Sequence, residues 1–62
     1  MRTMTEKQKR MLDLFFNNGI TMYDDIPLEA QRLMEKMTDN ELFYNQATQY
    51  LMDKAIEKNY NL

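Results

Sequence analysis

The sequence lacks cysteine, histidine, tryptophan and serine, and it contains one glycine and one proline. Without cysteine there is no disulfide, and without cysteine or histidine a structural zinc site is not expected. The usual nucleophiles, serine and cysteine, and the usual neutral-pH general base, histidine, are missing. A single glycine cannot form a glycine-rich phosphate loop. We therefore expect a protein that is not an enzyme and that carries no metal or cofactor.

One pair of neighbouring carboxylates is the remaining option for catalysis. Asp24 and Asp25 stand just before a predicted helix, where two carboxylates can bind a divalent ion or act in acid–base chemistry. Acidic residues are also favoured at a helix N-terminus, because the helix dipole is positive there. A domain this small offers few walls to exclude water from a reaction. We interpret the pair as ordinary helix-terminal charge.

The length of the chain limits the stability that its core can supply. Sixty-two residues fit a single domain, 1–62. A chain this short buries little apolar surface and gains little net stability from it. With disulfides and zinc excluded, the remaining sources of stability are well-packed helices, self-association or a larger partner.

No apolar stretch is long enough for a membrane span. The charged N-terminal segment is not followed by the apolar run and cleavage site of a secretory signal. The lack of cysteine agrees with a reducing compartment. We expect a cytoplasmic protein without a membrane partner, of the compact kind that is frequent among accessory proteins of bacteria and phages.

The net charge of −2 is spread unevenly along the chain. Residues 1–12 hold four basic residues and one acidic residue, whereas the remainder holds four basic and nine acidic residues. The basic residues of the first segment are candidates for contact with phosphate or with an acidic protein surface: Arg2, Lys7, Lys9 and Arg10. We favour a solvated helical turn instead, because the acidic remainder would repel nucleic acid.

A first helix is predicted over about residues 5–17. Thr5 with Gln8, or Thr3 with Glu6, can form a capping box at its start. Its apolar residues recur at helical spacing rather than in alternation, and they form one broad face: Met4, Met11, Leu12, Leu14, Phe15 and Phe16.

The stop signal of the first helix is Asn17-Asn18-Gly19, because these residues tolerate a left-handed cap and Gly19 is the single glycine of the chain. Residues 20–26 then connect it to the next helix. A single extended segment has no sheet to join. We therefore expect Ile20, Met22 and Tyr23 to fold over the helices as a lid on the core.

A second helix is predicted over about residues 27–37, with Pro27 in its first turn, where a missing N–H is tolerated. Its apolar residues repeat at helical spacing and predict a core-facing stripe: Ile26, Ala30, Leu33, Met34 and Met37.

The third helix has the strongest local signal, and we predict it over about residues 39–58. Thr38 is its expected N-cap, and Glu41 completes a capping box. Met37 before the cap can pack on Leu42, which is a hydrophobic staple. The second and third helices must therefore turn sharply between them.

The third helix carries apolar residues on two sides when it is projected at about 100° per residue. The first side is a core-facing set: Phe43, Tyr44, Ala47, Leu51 and Ala55. The second side has no obvious internal use: Leu42, Met52, Ile56 and Tyr60. A helix in so small a protein needs one buried side, so the second side indicates a partner. Tyr23 in the connector is a further candidate contact, because interfaces favour tyrosine.

An alternative explanation keeps the second side inside the protein. If the first helix crossed the far side of the third, Met52, Ile56 and Tyr60 would be core residues. Leu42 would then be covered by Met37 in the hydrophobic staple. Polar residues in the same sector fit a dry core poorly and a partly wet interface better: Asn45, Gln49 and Asp53. We favour the exposed surface.

One segment near the start of the third helix is similar to a known family. The similarity is carried by Thr38-Asp39-Asn40-Glu41-Leu42, then Phe43-Tyr44, Ala47 and Leu51, and more loosely by Arg32, Glu35 and Lys36. These residues resemble the Hha-type nucleoid modulators of enteric bacteria, which are small all-helical proteins. The resemblance implies a cytoplasmic protein that binds a DNA-organising protein rather than DNA. The acidic residue with which that family meets its partner falls on Thr48 here, and most of the family's basic surface is missing.

The sequence therefore predicts an all-α, three-helix domain without catalytic activity. We expect a small adaptor, modulator or inhibitor that docks an apolar side of its third helix on another protein. Two alternatives stay open. The same side can form a symmetric homodimer, or the basic N-terminal residues can contact nucleic acid.

Overall fold

The computed structural model describes residues 3–37 and 41–60, and it confirms the predicted small all-α, three-helix domain. The elements in chain order are helix α1 (Glu6–Asn17), a 3-10 turn (Tyr23–Asp25), helix α2 (Leu28–Glu35) and helix α3 (Phe43–Tyr60). Within the described ranges there is no strand, and no helix there is both long and apolar enough to cross a bilayer.

Helix α1 begins with the capping box predicted from Thr5 and Gln8. The Thr5 hydroxyl accepts a hydrogen bond from the Gln8 backbone N–H at 3.1 Å, and Gln8 Oε1 accepts one from the Thr5 backbone N–H at 2.8 Å. The box satisfies two N–H groups that a helix start leaves unpaired. Thr5, rather than Thr3, is therefore the N-cap.

Helix α1 ends at Asn17, as predicted, and Gly19 follows its C-cap Asn18 with a φ of +96°. The Gly19 N–H donates to the Phe16 carbonyl, and the Ile20 N–H donates to the Phe15 carbonyl, both at 3.0 Å. This pair of bonds is the Schellman motif, which satisfies the last carbonyls of a helix. A residue without Cβ reaches that backbone conformation at little cost.

The bounds of the other two helices differ from the predictions. Helix α2 ends at Glu35 rather than at residue 37, and α3 begins at Phe43 rather than at residue 39 and continues to Tyr60. Glu41 and Leu42 lie in a turn, so the start predicted from the capping box was wrong. Reversing the chain between two helices uses several non-helical residues, which a local capping signal does not reveal. The proposed N-cap, Thr38, lies outside the described residues.

The core draws on all three helices and on the connector between α1 and α2. Its buried apolar residues are Leu12, Tyr23, Ile26, Met34, Phe43, Ala47 and Leu51. The Tyr23 ring packs edge-on against Phe43, with ring centroids 5.7 Å apart. Of the three connector residues predicted to fold over the core, Tyr23 is buried in it and Ile20 packs against it partly buried. The third, Met22, is exposed.

Three residues predicted to face the core are exposed instead: Leu14, Leu33 and Tyr44. Leu14 lies about 160° around α1 from the buried Leu12, and Leu33 lies about 100° around α2 from the buried Met34. In a domain of three short helices, each helix covers only a narrow strip of its neighbour's surface. Apolar residues at the margins of a broad apolar face therefore stay exposed.

Gln8 is fully buried, which the sequence did not predict. While its Oε1 caps α1, its Nε2 donates to the Met34 carbonyl at 2.7 Å. This bond joins the start of α1 to α2, and within the described ranges no buried side-chain nitrogen or oxygen is left without a partner.

Candidate protein-docking face on the third helix

Helix α3 faces the core with one side only. Phe43, Ala47 and Leu51 are buried and recur every four residues. Tyr50 and Lys54 flank this buried side and contact α1. Helix α1 therefore packs on the core side of α3, and the alternative in which it covers the far side is wrong.

We call the opposite side of this segment the outer face of α3; its large apolar residues are Leu42, Met52, Ile56 and Tyr60. All four are exposed, by 52%, 50%, 50% and 85% respectively. Leu42 lies just before the helix, and its carbonyl accepts the hydrogen bond from the Gln46 N–H at 2.9 Å, so it continues the helical surface. The four residues singled out in the sequence are therefore accessible, and Met52, Ile56 and Tyr60 lie on successive turns of α3.

The polar residues of the outer face are also exposed, and their contacts are local. The Gln49 Nε2 donates to Asp53 Oδ1 at 2.8 Å, one helical turn away. The Thr48 hydroxyl at the edge of the face donates to the Tyr44 carbonyl at 2.9 Å, so it is bonded within its own helix. The outer face is thus a mixed surface, with Asp53 as its charged group beside the apolar side chains.

A network on the core side fixes the rotation of α3 about its axis. The Tyr50 hydroxyl donates to Asp13 Oδ1 at 2.7 Å, and Lys54 Nζ lies 2.9 Å from the same oxygen. Lys54 Nζ also lies 5.6 Å from the centroid of the Phe16 ring, within the range of a cation–π contact. These contacts tie α3 to α1 and leave the outer face turned to solvent.

The same network changes two pKa values. Partial burial acts to raise the pKa of Asp13, but the hydrogen bonds from Lys54 and Tyr50 and the charge of Lys54 outweigh it, so the pKa lies below its ordinary value. Burial, with the hydrogen bond to Asp13 and its charge, raises the pKa of Tyr50 to about 12. Both side chains therefore keep a single protonation state around neutral pH.

Asp24 is engaged by α3 rather than by α2. The Tyr44 hydroxyl lies 2.8 Å and 3.0 Å from the two carboxylate oxygens of Asp24 and donates to them. This hydrogen bond, with some burial and the carboxylate charge, raises the pKa of Tyr44. Asp24 and Asp25 lie in the 3-10 turn, and no group of three side chains able to hold a metal ion occurs in the ranges that the structure covers.

Tyr23 was wrongly predicted as a partner contact, because its ring is in the core and 1% exposed. Its hydroxyl lies 3.4 Å from Glu35 Oε1, and burial together with the Glu35 charge raises its pKa. Gln31 fixes the connector by donating from Nε2 to the carbonyls of Tyr23 and Ile26, at 3.1 Å and 2.8 Å. Apolar periodicity could not predict the burial of Tyr23, because the connector does not form an α-helix with a repeating apolar face.

The basic residues near the N-terminus form a smaller surface than expected. Lys9 pairs with Glu6 at 3.5 Å. Lys7 and Arg10 are exposed one turn apart on α1, and Arg2 lies outside the described residues. In the described part of this N-terminal segment, two exposed cations on a chain of net charge −2 supply few of the phosphate contacts on which nucleic-acid affinity depends.

A shallow open groove of about 290 Å³ lies where the end of α1 meets α3. Its lining residues are Phe16, Asn17, Lys54, Glu57 and Lys58. Lys54 is already paired with Asp13. The negative charge of Glu57 offsets the positive charge of Lys58, the other cation in the lining. The groove is therefore a weaker candidate site than the outer face of α3.

Comparisons of the chain with models of protein families, with curated proteins and with solved structures find no match. The function proposed below therefore depends on the geometry of the chain itself.

Proposed function

We propose that this protein acts without catalysis, as a small adaptor, modulator or inhibitor that docks the outer face of α3 on another protein. The observation that carries the proposal is the exposure of Leu42, Met52, Ile56 and Tyr60 on a helix whose opposite side already completes the core.

The residue types on this face suit a protein contact. Methionine adapts its shape to a partner, and tyrosine combines a large apolar ring with a hydroxyl. Met52, Ile56 and Tyr60 follow one another at intervals of four residues, which is the anchor spacing of a helix that lies in an apolar groove. Burying an apolar side chain that was left half exposed gains about 25 cal/mol for each Å² removed from water.

The location and the partner class belong to the same proposal. We place the protein in the cytoplasm, as the lack of cysteine favours. The resemblance to Hha-type modulators stays a prediction. Of the residues that carry it, Phe43, Ala47 and Leu51 are buried core positions here, and such residues report how a helix packs rather than what it binds.

The proposal is tested by protein capture with two matched variants. Replacing Met52 and Ile56 with glutamate adds two charges to the outer face. Replacing Leu14 and Leu33 with glutamate adds the same charges at apolar residues of similar exposure on α1 and α2. We expect the wild type and the Leu14→Glu/Leu33→Glu variant to capture the same protein from a lysate of the source cells, and the Met52→Glu/Ile56→Glu variant to lose it while its helical circular dichroism is retained. Capture that is lost equally in both variants contradicts docking through α3.

A further inference from the structure

We infer that Met52 is a modification site, at which hydrogen peroxide oxidises the thioether to methionine sulfoxide and thereby weakens docking through the outer face of α3. The oxidation depends only on the exposure and the chemistry of Met52. Its effect on docking rests on the proposed function, because Met52 is one of the exposed apolar residues of the outer face.

The composition makes methionine the principal target of a peroxide. The chain has no cysteine and no tryptophan, and it has seven methionines. A peroxide therefore meets no thiol that would react ahead of the thioethers. In the reaction the O–O bond of hydrogen peroxide breaks and an S–O bond forms. The sulfur loses two electrons, and the second oxygen of the peroxide leaves as water.

Burial then selects among the methionines of the described ranges. Met34 is 0% exposed, whereas Met22 is 58% and Met52 is 50% exposed. Susceptibility to oxidation follows exposure, so Met22 and Met52 are expected to react first. Met22 lies in the connector just before the 3-10 turn, which leaves Met52 as the exposed methionine of the outer face. The others that the structure describes are partly buried: Met4, Met11 and Met37.

Oxidation of Met52 is expected to act on docking rather than on the fold. The sulfoxide is polar and chiral, whereas the thioether is apolar and flexible. In the free protein the sulfoxide oxygen stays in contact with water, which supplies its hydrogen bonds. In a docked protein the same oxygen is removed from water and has to accept a hydrogen bond from another group.

The neighbours of Met52 on α3 are poor donors for that oxygen. One turn towards the N-terminus, the Thr48 hydroxyl and Gln49 Nε2 already donate to groups within α3. One turn towards the C-terminus, Ala55 and Ile56 have no polar side-chain atom. A partner that packs closely on the apolar form therefore leaves the sulfoxide oxygen unpaired, which weakens docking by about tenfold.

The modification is reversible, so it can regulate docking in both directions. A methionine sulfoxide reductase returns the sulfoxide to the thioether. Two thiols supply the electrons and become a disulfide, and the sulfoxide oxygen leaves as water. The chain has no cysteine, so these thiols belong to another molecule.

Peptide mass mapping during a time course with hydrogen peroxide tests the site. We expect Met52 and Met22 to gain one oxygen about tenfold or more faster than Met34, which reacts only when the core opens. Once Met52 is oxidised and Met34 is not, urea unfolding should match that of the untreated protein. Oxidation of Met52 as slow as that of Met34 overturns the inference, and so does a loss of stability as large as that of Leu51→Ala.

Capture from a lysate, with the peroxide removed and no reductant added, tests the effect on docking. Met52→Leu keeps an apolar side chain that peroxide does not oxidise, and Met22→Leu is the matched control at the other exposed methionine. We expect oxidation to weaken capture by the wild type and by Met22→Leu about tenfold, and to leave capture by Met52→Leu unchanged. A methionine sulfoxide reductase with a dithiol should restore capture by the wild type.

Capture that survives the oxidation of Met52 overturns the inference, and so does capture that oxidation weakens equally in Met52→Leu. In either case the docking function stands if the Met52→Glu/Ile56→Glu variant still loses the captured protein. If that variant captures the protein as the wild type does, the docking function itself fails, and the effect of oxidation on docking fails with it.

Discussion

At the scale of the residue, Gln8 makes the most consequential polar contacts. One end of its amide caps α1, and the other donates to the Met34 carbonyl. The sequence predicted the cap, because it depends on residues three positions apart. It did not predict the burial, because the bond to Met34 joins residues that are distant in the chain and meet only once the helices have packed.

Replacing Gln8 with leucine is expected to destabilise the protein by about 2–4 kcal/mol. The substitution keeps the side-chain volume close but leaves the Met34 carbonyl without its donor, at about 1–3 kcal/mol, and it removes half of the capping box as well. Urea unfolding measures the loss. Thr5→Ala is the control, since it removes only a capping bond and should cost about 1 kcal/mol. Equal stability of Gln8→Leu and Thr5→Ala would show that the buried bond contributes nothing.

Asp13 is expected to make stability depend on pH in the acid range. Its folded-state pKa lies below the ordinary value of 3.8, so the folded protein binds a proton less readily than the unfolded chain. The stabilisation from Asp13 is therefore complete above pH 3.8 and is lost as the pH falls through the lower folded-state pKa. The contribution is below about 1 kcal/mol, because the pair with Lys54 is partly solvated.

The Asp13→Asn variant isolates this contribution. We expect its free energy of unfolding to be lower than that of the wild type at neutral pH and to converge on the wild-type value as the pH falls below the folded-state pKa of Asp13. A difference that grows as the solution is acidified would contradict the assignment of the low pKa to Asp13.

At the scale of the element, local signals define α1 and long-range packing defines the start of α3. The capping box and the Schellman ending of α1 use residues within a few positions of one another, and both were predicted. The start of α3 at Phe43 was not, because it depends on how the chain reverses after α2. Likewise, helical spacing identified apolar faces, but it could not show that Leu14 and Leu33 lie beyond the width that neighbouring helices cover.

Replacing Gly19 with alanine is expected to destabilise the protein by about 1–2 kcal/mol. A Cβ there would meet no atom within 4 Å, so the cost is that of holding an L-residue at positive φ. Gly19→Asn is the matched comparison and should cost less, because asparagine tolerates left-handed backbone better. Thermal unfolding measures both. An alanine variant as stable as the wild type would show that the end of α1 can adopt another conformation.

At the scale of the whole molecule, the chain has more apolar surface than three short helices can bury. The sequence indicated this from two apolar sides on one helix, and the structure places Leu42, Met52, Ile56 and Tyr60 in solvent. The apolar pattern of α3 predicted which of its sides meets the core. No pattern predicted that Tyr23 is buried. That residue fills the core from a connector that has no periodicity of its own to read.

The most direct test of the docking surface is the free energy of unfolding of the Met52→Glu/Ile56→Glu variant, measured in urea at low protein concentration beside Leu51→Ala. Leu51 is the fully buried neighbour of Met52, and its truncation should cost about 2–5 kcal/mol. We predict that the two glutamates together cost less than about 1 kcal/mol, as substitutions at accessible positions usually do. If the free energy of unfolding falls as much as in Leu51→Ala, this side of α3 stabilises the fold and is not an accessible docking surface.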